Sequence, residues 1–585
     1  MHLTPSLLLT TTVITVLIVN GCQTWGGGEP GQGPGSDQST DTQPRISNGP
    51  IPDLKNLSSA IRPLPPAGIA AYPKEVMDTT YAPPSGNDMA VKQGDNLQAK
   101  IDAAPCGSKI KLDAGATFTG AFVLKNKGCS AEKPIYIMSA DLDRLPSEGK
   151  RVSPKDATHM PKIQAAGGLA FSAEFGTGYY WLVGLEILST VNDRNSIPDT
   201  LIDFGEQPDP NVTAYPSKQE DFPHHIVIDR CYIHGQPRGN LKRGVALNGT
   251  YQAIINSYLS EIHGDGVESK GINGWAGPGP FMIYNNHIEA AGINVFFGGA
   301  STWIENINPS DIVIARNHIT KNTAWRQGSP NFAGVAWTAK NLIELKNAKR
   351  VLLDSNVLEN SWVHAQAGQA VLYSPQNDQG NMVWSTVEDV TFQRNLVRHT
   401  AMTFHVLGWG WPNQTKQSKR KLNRHNVFDD IDWVKWGGFN RARNIMMDSG
   451  SDSDSWEHNT FNNTGSERGI LTADHCPHSN LVFRDNIIFE GRGVLASGYS
   501  PGGTSLEACF PGKIWAHNIL IDGSKGNYPS GNFFPSKVDQ VGFTDYKAAN
   551  FKLLPSSPYK GKASDGTDPG ADYDEVTAAT EGVID

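Results

Sequence analysis

The chain has 585 residues, 38% of them hydrophobic and 19% charged, with 60 Gly, 37 Pro and a formal net charge of −9. That composition describes many turns and little helix. The negative balance excludes nucleic acid as a partner, and the chain is expected to act as a monomer.

Residues 1–21 read as an export signal: Leu7 to Val19 is almost wholly apolar or Thr, and too short to span a bilayer comfortably. Val19-Asn-Gly-Cys22 resembles a bacterial lipobox, which makes Cys22 the lipidated mature N-terminus. Residues 22–60, rich in Gly, Pro, Ser, Asp and Gln, form a flexible tether. Membrane contact is then through the lipid alone, because no second apolar segment is long enough to cross. Gln23 favours display on the bacterial outer membrane; a plain cleaved signal would release the protein to the periplasm or exterior.

Residues 61–585 are expected to form one domain. At Asp95–Ala104 the apolar period is helical, with Leu97 and Ile101 on one face and Pro105 as a stop. Lys109-Ile-Lys-Leu112 and Ala121-Phe-Val-Leu124 then alternate as strands. A helix there predicts an end cap, which would cover the first coil of a stacked structure.

The stack is announced by a recurring phrase: an Asn, any residue, then a large apolar residue. It runs from Asn286-His-Ile288 through Asn317, Asn356, Asn395, Asn426, Asn459 and Asn486 to Asn518-Ile-Leu520. Cys231 and Ser257 hold the same place in two earlier copies, and the spacing wanders between 26 and 39 residues. Before each copy lie alternating apolar residues, such as Ile226-Val-Ile228 and Ile312-Val-Ile314. Strand periodicity at a variable spacing predicts an all-β solenoid with fixed strands and elastic loops. Asn suits its corners twice over: it tolerates left-handed backbone, and its amide bonds the Asn of the next coil.

Each copy holds another strand well after the Asn, among them Gly266–Lys270, Asn294–Phe297, Asn341–Lys346, Ala370–Tyr373, Met402–His405 and Ile445–Asp448. If Ile343 and Leu345 face the core, Glu344 and Lys346 face out. Glu268, Lys270, Asn294, Tyr373, His405 and Asp448 are then expected to line the same trough. The loops beside it are long, and 11 of the 14 Trp lie between Trp275 and Trp456. Trp325, Trp337, Trp409 and Trp411 are candidates to stack on sugar rings, although a Trp of this kind also serves to pin a loop to the coil. A trough walled by Trp and floored by Lys, Glu and His suits an extended anionic polysaccharide.

Six cysteines fit an oxidising compartment. With Cys22 lipidated and Cys231 buried on the ladder, elimination leaves Cys106 with Cys129 and Cys476 with Cys509 as disulfides.

The ladder, helical cap and trough resemble the right-handed parallel β-helix of pectate-lyase-like proteins. More narrowly, Gly274-Trp-Ala-Gly-Pro-Gly-Pro-Phe281, Phe297-Gly-Gly299 and the run from Lys340 to Val351 resemble a group of exported bacterial β-helix proteins, over most of residues 90–575. That group carries an acidic residue where this chain has Ile293, which argues against an acidic metal cluster near Asn294.

On such a scaffold β-elimination needs a base for the proton at C5 of a uronate and positive charge for its carboxylate. Lys346 is the expected base, with Lys270 nearby to lower its pKa; His405 or Tyr373 would serve as base or acid. Glu268 and Glu344 would orient the lysines or hold Ca²⁺. Hydrolysis would pair Glu344 with Glu268 or Asp448. Epimerisation would share the trough, and a non-catalytic glycan-binding protein would use the Trp loops without an acid–base pair.

Overall fold

The computed structural model describes residues 69–584 apart from 166–167, 206–214, 438–443 and 467. The export signal, Cys22 and most of the tether therefore lie outside the described residues. Three parallel sheets of 14, 13 and 12 strands run the length of the molecule, and successive strands of the chain visit them in turn. One coil is Thr250–Ile255 in sheet 1, Tyr258–Ile262 in sheet 2 and Lys270–Gly274 in sheet 3; the next strand, Phe281–Tyr284, returns to sheet 1 beside the first. This is a right-handed parallel β-helix. The expected cap is present: Leu97–Ala103 is helical, the Asn96 side chain accepts from Ala99 N, and Leu97 and Ile101 are buried in the first coils.

The inward residues form continuous columns. Phe281, Ile312, Val351 and Val390 lie in register on successive strands of sheet 1. Phe428 stacks on Phe461 at 4.4 Å, and Phe483 on Trp515 at 4.4 Å. Because each coil buries its apolar row against the next, loop length is free to vary while strand length is not.

The Asn ladder is unbroken. Nδ2 of Asn286 donates to Oδ1 of Asn317, and so on through Asn356, Asn395, Asn426, Asn459, Asn486 and Asn518, at 2.9–3.1 Å. It ends on Asn532, 14 residues beyond Asn518, where the strand phrase is missing. Ser257 and Cys231 continue it in the other direction through the Ser257 hydroxyl. One detail differs from expectation. The left-handed residue is not the ladder Asn but the residue before it: Asn285, Arg316, Ser355, Arg394, His425, His458, Asp485 and His517 all have φ between 49° and 59°. The ladder residue must keep its amide turned inward along the axis, so its neighbour takes the left-handed turn and projects outward.

Those projecting side chains have a use. The C-terminal segment runs back along them, antiparallel to the rise of the coil. Ser564 N donates to Asp485, Asp572 N to His425 Nδ1, Arg394 pairs with Glu575, and Arg316 donates to the carbonyls of Ala579 and Glu581. The tail thus lies along the side of the coil. Asn550–Leu553 pairs antiparallel with Phe543–Asp545 in a separate hairpin. The far end is closed by the helix Gly503–Cys509 with Leu506, Phe510 and Tyr528 packed on Trp515.

Both disulfides form as paired in the sequence, at Cα–Cα distances of 5.4 and 5.0 Å. Cys231 is a buried free thiol. Among the described residues no helix is long and apolar enough to cross a membrane.

Candidate functional site

Among the described residues the chain lays its own segments over two of its three outer faces. Residues 71–81 lie along sheet 1: Ala71 N donates to Asp389, Lys74 N to Asp311, and Met77 packs among Val227, Ala253 and Met282. Tyr81 meets Tyr136 and Trp181 edge-on. Sheet 2 is covered by Leu145, Val152 and Met160 over Tyr232 and Tyr258, and later by Phe543, Phe551 and Val576 over Leu396 and Val427. Sheet 3 carries no such strap among the described residues; its outer face is bordered by its own long loops.

Strand pairing puts Asn273, Phe296, Glu344, Leu372, His405, Met446 and Thr472 in one outward row on sheet 3. Glu344 is thus where alternation from Ile343 and Leu345 placed it, and His405 lies two strands on, about 10 Å at the usual ~4.8 Å spacing. Around Phe296 the charged residues gather. Lys270 Nζ stands 5.3 Å from the ring centroid and Lys346 Nζ 5.7 Å, both within cation–π reach. Glu268 bridges Lys270, at 2.7 Å, and Lys340. Glu344 accepts from Asn341 Nδ2 at 2.6 Å and faces Lys346 Nζ at 3.3 Å.

Burial ranks these groups. Glu344 has no exposed side-chain surface, Lys270 10%, Lys340 12%, Lys346 23% and Glu268 36%. Glu344 therefore lies beneath the surface and orients Lys346 rather than touching a ligand itself. Burial would raise the Glu268 carboxyl, but Lys270 and Lys340 outweigh it and hold it down at about 2. For Lys270 burial wins over the pull of Glu268, so its ammonium titrates below the ordinary lysine value. Glu268 precedes its strand, which begins at Lys270 and not at Gly266.

The other expected lining residues divide sharply. Tyr373 points into the core: it pairs in register with Leu345 and Val406, while Leu372 takes the outward place. The strand is one residue out of phase with the reading that put Tyr373 in the trough. Asn294 is also interior, at the corner where sheet 2 turns into sheet 3, donating to the carbonyls of Ile288 and Thr320. Its Oδ1 accepts from the buried Lys321 ammonium, which also bonds four backbone carbonyls of that corner. Trp325 and Trp337 are 4% and 2% exposed and pack with Trp362, Trp433 and Trp436; His263 stacks on Trp337 at 3.8 Å. They anchor a wall on one side of sheet 3 and present no ring face to solvent.

The opposite wall is laced from three loops. Ser301 bonds Asp378, Asn308 bonds Asn347, and across the 374–386 and 408–418 loops Asn377 Nδ2 donates to Gln414 O while Asn413 Nδ2 donates to Asn377 O. Trp409 is half-buried there, and Trp411 is 87% exposed at the rim. Of the four Trp expected to meet sugar, Trp411 is the one with a free face.

The sequence reading missed His475. Asp448 sits on the same face, 17% exposed, and its Oδ1 accepts from Ser449 Oγ at 3.0 Å and meets His475 Nδ1 at 2.7 Å. Asp448 raises the pKa of the largely exposed imidazole. His475 follows the strand Leu471–Ala473 in the turn before Cys476, and only its place in the coil could have found it.

A Ca²⁺ site at Glu268 and Glu344 does not fit these residues. Ca²⁺ takes 6–8 oxygen ligands, and both carboxylates here are already engaged by Lys270, Lys340, Lys346 and Asn341. Among the described residues no group of three or more His, Cys, Asp or Glu gathers as a metal site. The fixed charge of this face comes from lysines.

No family profile matches the chain, and no curated protein sequence matches it. Solved structures do. An alginate lyase from Paenibacillus sp. aligns at 14% identity and TM-score 0.37, over 66% of this chain and 97% of that one. A pectate lyase aligns at 12% and 0.35, over 83% and 95%. A tailspike of an E. coli bacteriophage, solved with a pentasaccharide, aligns at 10% and 0.42, over 78% and 66%. What the chain shares with them is the coil.

Proposed function

We propose that sheet 3 binds an extended, uronate-containing polysaccharide and that the chain cleaves it by β-elimination. The observation that carries the reading is the gathering of Lys270 and Lys346 about Phe296, with Lys340 joined to Lys270 through Glu268, on the sheet that carries no strap among the described residues. Three ammonium groups held by two carboxylates offer a fixed, partly desolvated cationic patch for a sugar carboxylate, whose charge grows as the C5 proton leaves. Lys346 is the most exposed of the three. It takes that proton in this proposal, with Glu344 fixing its direction from below. Lys270 and Lys340 neutralise the carboxylate. His405, on the same row, donates a proton to the departing glycosidic oxygen. Trp411 on the rim stacks against a neighbouring sugar.

A second reading rests on a different observation. Glu344 is fully buried and Trp411 fully presented, a pattern that also suits a protein that holds a glycan without cutting it. One experiment separates the two. The protein is incubated with pectate, alginate, glucuronan and glycosaminoglycans, following the short-wavelength ultraviolet absorbance of the unsaturated product, reducing ends and binding. Elimination gives both chemical signals; hydrolysis gives reducing ends alone; a binder gives neither. Lys346→Arg keeps the charge but cannot act as a base near neutrality, so it should retain binding and lose cleavage. Undiminished cleavage by that variant would remove Lys346 from the mechanism.

A further inference from the structure

Inside the coil the column Phe281, Ile312, Val351, Val390 continues with two charged residues, Lys421 and Asp454. They are register partners on adjacent strands of sheet 1, Lys419–Arg424 and Asp452–Glu457. Their side chains are 1% and 2% exposed, and Lys421 Nζ lies 3.0 Å from Asp454 Oδ1. Few other polar groups serve the pair. Lys421 Nζ also bonds Ser418 Oγ at 3.0 Å, and Ser451 Oγ donates to Asp454 Oδ2 at 2.5 Å. The phenol of Tyr373, which senses the Asp454 charge, has no hydrogen-bond partner of its own.

An ion pair in an apolar column is poor value for stability: desolvating two charges costs several kcal/mol each, and two apolar residues would do as well. The four coils before Lys421 in this column, with Phe281, Ile312, Val351 and Val390, show that apolar residues fit. The pair instead has the arrangement of an amine and an acid poised to condense. Burial pushes the lysine down and the aspartic acid up, which moves the pair toward its neutral forms, NH₂ and COOH. The neutral amine is the nucleophile and the protonated acid the electrophile.

We propose that Lys421 and Asp454 form an intramolecular isopeptide bond that staples one coil of the β-helix to the next. Lys421 Nζ attacks Cγ of the protonated Asp454 carboxyl. The Ser451 hydroxyl steadies the negative charge that develops on Oδ2. The C–N bond forms, the Cγ–Oδ1 bond breaks, and Oδ1 leaves as water with its own proton and one from the amine. One amide and one water replace one amine and one acid, and no oxidant or cofactor enters. Holding the two groups in contact supplies the effective concentration that the same condensation lacks in water. The product removes both buried charges and leaves a neutral amide between Ser418 and Ser451.

The test is mass spectrometry of the full exported chain, purified and unfolded. The expected intact mass is one water below that of the chain with its two disulfides. Trypsin should yield a branched peptide joining residues 421–424 to residues 444–468, since an acylated lysine is not cut. Lys421→Met should restore the full mass, and the wild-type peptide map decides the matter even if that variant does not fold. Linear 444–468 peptide as the sole product from folded wild-type protein would overturn the proposal.

Discussion

Asn356 is the most direct place to measure what the ladder is worth. Its side chain is fully buried and makes four hydrogen bonds. Oδ1 accepts from Asn317 N at 2.9 Å and Asn317 Nδ2 at 3.1 Å; Nδ2 donates to Ile314 O at 2.9 Å and Asn395 Oδ1 at 2.9 Å. Asn356→Ala does not orphan all of these. Asn317 Nδ2 keeps Ile283 O and Ala315 O, and Asn395 Oδ1 keeps the Asn356 backbone N–H. What is stranded is the Asn317 N–H, a buried donor with no water to turn to, at about 1–3 kcal/mol. The three remaining lost bonds add about 1 kcal/mol each, so the total is on the order of 4–6 kcal/mol. Asn356→Ser should recover about half, because Ser257 already serves this column by accepting from Cys231 N and donating to Ile255 O. Asn532→Ala, at the half-exposed end where water can replace the amide, should cost about 1 kcal/mol. The measurements are urea midpoints and hydrogen exchange of peptides spanning 281–320. Equal losses for Asn356→Ala and Asn532→Ala would refute the idea that buried ladder amides hold the coils in place.

Three further outcomes follow from the same geometry. Trp411→Ala should weaken polysaccharide binding roughly tenfold, the scale of one exposed stacking contact at about 1.4 kcal/mol, while leaving the thermal midpoint unchanged; Trp337→Ala should do the reverse. His478 is held neutral, its Nδ1 accepting from Ser451 N and its Nε2–H donating to Asp474 O, and burial lowers its pKa to about 4. Above about pH 6.5 neither folded nor unfolded state protonates it; as pH falls toward 4 only the unfolded state does, so stability is lost across that window, by an amount on the order of 3 kcal/mol at ~1.36 kcal/mol per unit. Denaturation of His478→Gln at pH 7 and pH 4.5 should show a smaller acid loss than wild type. Cys231, whose thiol burial pushes up to about 12, should resist a maleimide in the native protein and react at once on unfolding.

How much of this was legible depended on what each residue is for. The ladder could be read because its Asn bonds its own kind one coil away, so the same residue had to recur in one position. The strands of sheet 3 could be found by alternation, and Glu344 was correctly placed between Ile343 and Leu345. Alternation failed where a strand edge was misjudged by one residue. Starting the strand at Gln369 rather than Ala370 matters less than knowing which of Leu372 and Tyr373 faces in, and a phenol beside an apolar residue gives no sign. Asn294 was lost for a related reason: it lies at the start of the strand Ile293–Phe297, where its amide turns in to the carbonyls of Ile288 and Thr320 although Phe296, two residues on, faces out. The Trp cluster was read as one feature but serves two purposes, and only the 87% exposure of Trp411 against 2% for Trp337 tells rim from anchor. His475 was invisible because its partner, Asp448, is near only across the stack.

The location of the site also follows from a cost that a solenoid of three sheets must meet. Each sheet has an outer face as well as an inner one, and apolar residues on it need cover. Sheet 1 presents Val227, Ala253, Met282 and Val313 outward, and sheet 2 presents Leu396, Val427 and Ile487; both recruit the chain's own ends. Sheet 3 presents Asn273, Glu344, His405 and Thr472 among its outward residues, and the chain lays no strap there among the described residues. Polar residues placed on a face that could have been closed like the other two are what a ligand-binding surface requires, since they cost stability unless something hydrogen-bonds them. In the function proposed above, the lysines about Phe296 meet the carboxylates of the polysaccharide, and its further sugars follow the face past His405 to Asp448 and His475.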